Sequence, residues 1–168
     1  MNAANHPNSP PLEIRSAAAP CPTNQQVGAK LDTLMVKSLL AVPLTAVSSG
    51  ASYRFCPAPR EACPTAYYRA DGQQVFTENE LRERVYQKHA DDPNSVICYC
   101  FGHMVGDIRA ELAQGAASTV VDRIQAGIQA GQCACDIRNP QGHCCLGNVR
   151  DLIDRLSAPV PPKDARDV

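Results

Sequence analysis

Six of the nine cysteines in this chain fall into two tight clusters toward its C-terminal end. Cys98-Tyr99-Cys100 lies in SVICYCFG. Cys133-Ala134-Cys135, followed by Cys144-Cys145, lies in GQCACDIRNPQGHCCLGNV. Thiols this crowded do not all pair as relaxed disulfides, whose Cα atoms must lie about 4.4–6.8 Å apart with a specific S–S dihedral. A metal centre asks only that several thiolates face one point. The odd cysteine count also argues against a closed disulfide framework. Ligand softness alone admits structural zinc or an iron–sulfur cluster. Spacing favours the cluster. Structural zinc usually takes Cys-x₂₋₄-Cys knuckles, and neither cluster contains one, whereas Cys-x-Cys suits two sulfurs on one iron of a flat two-iron centre. Buried inert thiols or a redox relay are the plainer alternatives, and six cysteines in one stretch weigh against both.

The elements that must position these thiols read as helices and the loops between them. In HMVGDIRAELAQG, Met104 or Val105, Ile108 and Leu112 make one apolar face, with Gly115 as the stop. Ser118 or Thr119 caps a second helix with Val120 or Val121, Ile124 and Ile128 inward, ending at Gly131. A third starts at Cys144 or Cys145 and turns Leu146, Val149, Leu152 or Ile153, and Leu156 inward. The pattern is therefore helical from residue 98 on. The residues after Cys100 and Cys145 are expected to begin helices, whose free N–H groups and positive dipole ends favour thiolate. Asn139-Pro140-Gln141-Gly142 reads as a turn folding the second loop back on itself. Three short helices bury little core, so a metal centre between the loops supplies the missing cross-link.

Residues 21–76 read as short strands and turns, with TAYYR and QQVFT flanking the hairpin signal Ala70-Asp71-Gly72. Thr77-Glu78-Asn79-Glu80 reads as a capping box opening a helix that carries Leu81 and Val85 and ends near Ala90 to Pro93. The division is thus a tail at 1–20, a hairpin-and-helix segment at 21–92, a helical unit at 93–157 and a second tail at 158–168. Both tails are rich in proline and expected to be disordered. The fold class is α+β.

A formal net charge of −1 leaves no electrostatic footprint for nucleic acid or an anionic membrane. The most apolar stretch, LMVKSLLAVPLTAV, carries Lys37 and Pro43 and is too short to span a bilayer. With no signal-peptide run at the N-terminus, the expected compartment is the cytoplasm, where cysteine clusters read as metal or redox sites. No Gly-rich phosphate loop, Ser-His-Asp order or carboxylate pair stands out, so a substrate-turning enzyme is not expected. His103 and His143, beside the clusters, read as solvated loop residues.

CYCFG, some 30 helical residues, then CAC and PQGHCCLGNV resemble the bacterioferritin-associated-ferredoxin-like [2Fe–2S] domain, in the variant found in CopZ-type copper chaperones. CPTNQQVGAKLDTLMVKSLL resembles that family's Cys-Pro-x-Cys-Gly opening with its VK-x-LL continuation. RFC and CPTAYYRADGQQVF resemble its second cysteine pair and hairpin. The resemblance covers roughly residues 20–153. It implies a small zinc-ribbon-like hairpin subdomain followed by a compact helical [2Fe–2S] subdomain. The implied cluster ligands are Cys98, Cys100, one of Cys133 and Cys135, and one of Cys144 and Cys145, with Cys135 and Cys145 favoured. The implied zinc ligands are Cys21, Cys56 and Cys63. Asn24 stands where that family has a second cysteine, so water, Asn24 or a tail histidine such as His6 would supply the fourth ligand. The family's copper chaperones also carry a ferredoxin-like copper domain, which this sequence stops short of.

The expected function is therefore a [2Fe–2S] protein of copper or mercury homeostasis, metallochaperone-like, with one-electron redox chemistry. Cu(I) or Hg(II), and a redox or metal-transporter protein, are the implied partners. The alternatives are a ferredoxin-like electron carrier or subunit, and a structural zinc protein that scaffolds a partner.

Overall fold

The computed structural model describes residues 19–115 and 117–158. The expected tails lie outside the described residues except at their inner ends. The fold is α+β. Four short strands, β1 (Ala29–Leu31), β2 (Tyr53–Phe55), β3 (Thr65–Arg69) and β4 (Val75–Thr77), form an antiparallel meander in the order β1-β2-β3-β4. Tyr53 pairs with Leu31 on one side and Arg69 on the other, and Tyr68 pairs with Val75. The Asp71-Gly72 hairpin forms as read. Gly72 takes a φ of 76°, a left-handed value that a residue with a Cβ resists.

Between β1 and β2 the chain makes a helix, α1 (Thr33–Leu39), where only strands and turns were expected. Its start was legible in hindsight: Asp32 Oδ1 accepts the Leu34 N–H at 2.7 Å, an N-cap bond. Met35, Val36 and Leu39 then fall on one face and pack against Tyr53, Phe55, Tyr67 and Phe76 of the sheet. This is the first core.

The helix expected after the capping box does not form. Glu80 Oε2 does accept the Thr77 N–H at 2.7 Å, but only a single 3-10 turn follows, Glu78–Glu80. The chain then runs extended, because tertiary partners claim its backbone. Leu81 bridges Leu40, the Ala41 N–H donates to the Glu80 carbonyl, and the Arg82 N–H donates to the Leu39 carbonyl. Glu78 spends its carboxylate on the Val85 N–H at 2.8 Å. A second 3-10 turn, Tyr86–Lys88, closes this segment.

The C-terminal half holds a small hairpin, β5 (Val96–Cys98) and β6 (His103–Met104), then α2 (Val105–Ala113), α3 (Val120–Gln129), a one-turn α4 (Cys135–Arg138) and α5 (Leu146–Ser157). The three longer helices match the expected positions. Val105, Ile108, Val120, Ile124, Val149 and Leu152 are buried in a second core. The β5–β6 hairpin corrects the reading of continuous helix from residue 98. Gly102, at a φ of 71°, lets its N–H reach back to the Cys98 carbonyl at 2.8 Å and turns the chain before α2 begins. The two halves pack together. Helix α1 lies against α4, Ser38 Oγ donates to the Ile137 carbonyl at 3.1 Å, and the buried Tyr67 hydroxyl donates to the Pro140 carbonyl at 2.9 Å. Among the described residues no helix is long and apolar enough to cross a membrane.

Candidate metal centres

All nine cysteines are free thiols, and two groups of three bring their sulfurs within 4.8 Å of one another. The first is Cys21, Cys56 and Cys63, each fully buried in a third small core with Ala58 and Tyr68. Cys56 follows β2 and Cys63 precedes β3, so strand pairing sets their separation. Cys21 is brought in by a tight loop in which its N–H donates to the Gln26 carbonyl and its carbonyl accepts the Gln25 N–H, both at 2.8 Å. The Tyr68 hydroxyl accepts the Gly28 N–H at 2.7 Å and pins that loop to β3. A Cβ on Gly28 would lie 1.7 Å from the Phe55 carbonyl oxygen, so this close approach needs glycine. Gln25 stands where the resembling pattern has glycine, and it adopts that conformation anyway at a φ of 62°. The loop therefore keeps its shape at the cost of a strained residue.

The sulfur geometry fits a metal. Cys21 Sγ lies 3.9 Å and Cys56 Sγ 3.7 Å from Cys63 Sγ. Zn–S bonds of about 2.3 Å in a tetrahedron give an edge of about 3.8 Å. Asn24 is not placed as a ligand: its Nδ2 donates to Cys56 Sγ at 3.3 Å, and its Oδ1 accepts the Gln26 N–H at 3.1 Å. His6 lies outside the described residues. Burial pushes the Cys56 thiol up to about 11. Burial also works against ionisation of Cys63, but the Thr65 N–H and hydroxyl, with the neighbouring thiols, bring its pKa below the ordinary value.

Sequence reasoning missed Lys88. Its side chain is buried at 2 % exposure beside this site. Lys88 Nζ donates to the Ala58 carbonyl at 2.7 Å and the Cys63 carbonyl at 3.0 Å. Burial pushes its pKa down, while Cys56, Cys63 and Cys21 act to raise it. The only signal in the sequence was a lysine near the end of a segment read as helix, which gives no reason to expect burial.

The second group is Cys100, Cys133 and Cys135. Cys135 Sγ lies 3.6 Å from Cys100 and 3.3 Å from Cys133. Cys98 and Cys145, the latter the N-cap residue at the start of α5, are both buried in the second core beside this group. One close sulfur contact therefore runs between loops, Cys100 to Cys135, and one within the second loop, Cys133 to Cys135. Cys133, read as a flanking thiol, lies inside the group, and Cys144 is exposed outside it. Backbone N–H donors surround these sulfurs, but not all where expected. Cys100 is followed by the β5–β6 turn instead of a helix, and its donor is the Ala134 N–H at 3.3 Å. The Cys145 thiol and the N–H groups of Phe101 and Cys100 bring Cys98 down to about 7 against the effect of burial. The Cys98 thiol, together with burial, pushes Cys145 up. The loop that delivers Cys145 is built by Asn139 and Gln141, both buried. Asn139 Nδ2 donates to the His143 carbonyl at 2.7 Å, and Gln141 Oε1 accepts from Asn148 Nδ2 at 3.0 Å and from Gln87 Nε2. His143 itself is exposed.

These two groups of thiols, each able to hold a metal ion, sit on an α+β frame that is similar to known metal-handling proteins. Residues 18–82 match the family model of the CopZ zinc-binding domain. The fold is similar to the X-ray structure of the Archaeoglobus fulgidus CopZ N-terminal domain, with a TM-score of 0.63 and 26 % identity over 84 % of this chain and 99 % of that one. No curated protein gave a match.

Proposed function

We propose that this chain is a metal-homeostasis protein of the CopZ kind, in which Cys21, Cys56 and Cys63 hold zinc and Cys98, Cys100, Cys135 and Cys145 hold a [2Fe–2S] cluster. The observation that carries the second site is the approach of Cys100 to Cys135 across loops at 3.6 Å, with the Ala134 N–H on the Cys100 sulfur and with Cys98 and Cys145 buried in the same core. When bound, such a cluster supplies one-electron redox chemistry. The protein's own contribution is to orient four thiols, donate N–H groups to them and shield them behind the second core. In this reading the first half is the zinc-ribbon-like subdomain, the second is the bacterioferritin-associated-ferredoxin-like one, and the setting is the cytoplasm, where thiols stay reduced. Cu(I) or Hg(II) is the cargo, with a redox or transporter protein as partner. No turnover of an organic substrate is assigned.

The test is metal content. Protein made anaerobically with ample iron should contain iron and acid-labile sulfide in equal amounts, absorb in the visible and give an EPR signal once reduced. A colourless product holding zinc alone would overturn the cluster and leave a structural zinc protein. One observation favours a plain electron carrier over a chaperone: Cys144 is exposed and belongs to neither thiol group, so the two spare thiols do not converge. Failure to bind Cu(I) or Hg(II) beyond the cluster would decide for the carrier.

A further inference from the structure

The zinc site is one thiol short of four, yet a buried cation sits against it. Lys88 is held by the Ala58 and Cys63 carbonyls, at 2.7 and 3.0 Å, and these lie in the loop that joins two of the sulfurs. A buried ammonium needs a counter-charge, since two carbonyls accept two of its three protons and cancel none of its charge. Among the described residues no carboxylate lies within ion-pair distance of it. Glu78, a carboxylate that acts to raise the Lys88 pKa, is already engaged by Arg60 and His89, each at 2.7 Å. What holds Lys88 instead is the Cys56–Cys63 loop, through the carbonyl of Cys63 itself at 3.0 Å, beside the three buried thiols.

We infer that Lys88 is a positioning residue that supplies the missing charge balance of the Cys21–Cys56–Cys63 site and so makes three thiolates sufficient for a divalent ion. The inference rests on the zinc reading of that site. Three thiolates around a divalent ion leave one net negative charge in a buried place, and one ammonium cancels it. A fourth thiolate would leave one charge uncancelled. The neutral Asn24, which donates to Cys56 Sγ in place of ligating, is consistent with that balance.

The consequence is a sign reversal between two states. With metal bound, Lys88 faces negative charge and stabilises. With metal removed the thiols take up protons, and the same ammonium is buried without a counter-charge and destabilises. The test uses the full chain and the variants Lys88→Met and Lys88→Arg, titrated with zinc against a chromophoric chelator and with Co(II) by thiolate charge-transfer absorption. Lys88→Met is expected to lose at least tenfold in affinity for both ions, while its metal-free form melts no lower than metal-free wild type. Lys88→Arg, which keeps the charge, is expected to stay within about threefold of wild type. Unchanged affinity in Lys88→Met overturns the inference. So does a metal-free Lys88→Met that fails to fold or melts lower, because that marks a packing role, and so does a Lys88→Arg loss equal to that of Lys88→Met. Wild type that binds neither zinc nor Co(II) overturns the zinc reading itself. Wild type that binds tightly beside an unaffected Lys88→Met removes only the role of Lys88.

Discussion

Cys98 and Cys144 mark the two ends of what a thiol does in this chain. Cys98 is buried, and the Cys145 thiol and the N–H groups of Phe101 and Cys100 bring it down to about 7. Cys144 is exposed and outside both thiol groups. Cys98→Ser or Cys100→Ser is expected to abolish visible iron–sulfur absorption, whereas Cys144→Ser and Cys133→Ser should leave the cluster largely assembled. An intact spectrum in Cys100→Ser would refute the ligand set. Glu78 carries a second prediction. Burial works against its ionisation, but the Val85 N–H, His89 and Arg60 bring its pKa below the ordinary value. A depressed carboxyl stabilises the fold fully above its unfolded pKa of about 4.3 and loses that contribution as pH falls through the lower folded value. Glu78→Gln should therefore cost about 2 kcal/mol at pH 7. Its thermal midpoint should converge on that of wild type as pH falls below the unfolded value and through the lower folded one. A gap that persists at low pH would show that the loss is one of packing.

The helices α2, α3 and α5 were legible because their apolar residues repeat with helical period and glycines stop the first two. Gly115 and Gly131 both take left-handed φ values at those stops. The β3–β4 hairpin was legible from its Asp-Gly turn. What the sequence hid were elements decided by distant partners. Helix α1 has seven residues, too few for a periodic signal, and is held by the sheet it packs on. The segment after Glu80 has helix formers throughout but gives its backbone to Leu39 and Leu40. The six clustered cysteines were visible at once, while the membership of Cys133 and the burial of Lys88 depend on contacts that no local pattern encodes. One contact between elements also carries a prediction. Phe101, next to Cys100, lies on Gly127 of α3, where an added Cβ would come 2.3 Å from the ring. Gly127→Ala should displace that ring, cost about 1–3 kcal/mol in thermal stability and speed alkylation of Cys100 in the metal-free protein. Unchanged alkylation would mean that Phe101 does not shield the sulfur.

At the scale of the molecule, three cores meet along one short strip. Val85 belongs to the first core, Tyr86 to the second, and Lys88 lies beside the three-thiol core. The Tyr86 N–H donates at 2.9 Å to the hydroxyl of Tyr99, the residue between Cys98 and Cys100, and that hydroxyl donates to the Arg84 carbonyl at 2.6 Å. The strip therefore touches the three-cysteine group with one side chain and the other thiol loop with its backbone. Local opening in proteins follows cooperative units more than domain boundaries drawn on the chain. Stripping metal from Cys21, Cys56 and Cys63 is thus expected to accelerate hydrogen–deuterium exchange at the Tyr86 amide together with amides around Cys63. If Tyr86 kept its full protection while the Cys63 loop lost its own, the halves would breathe independently. If both lose it, a single 3-10 turn lets each site report on the occupancy of the other.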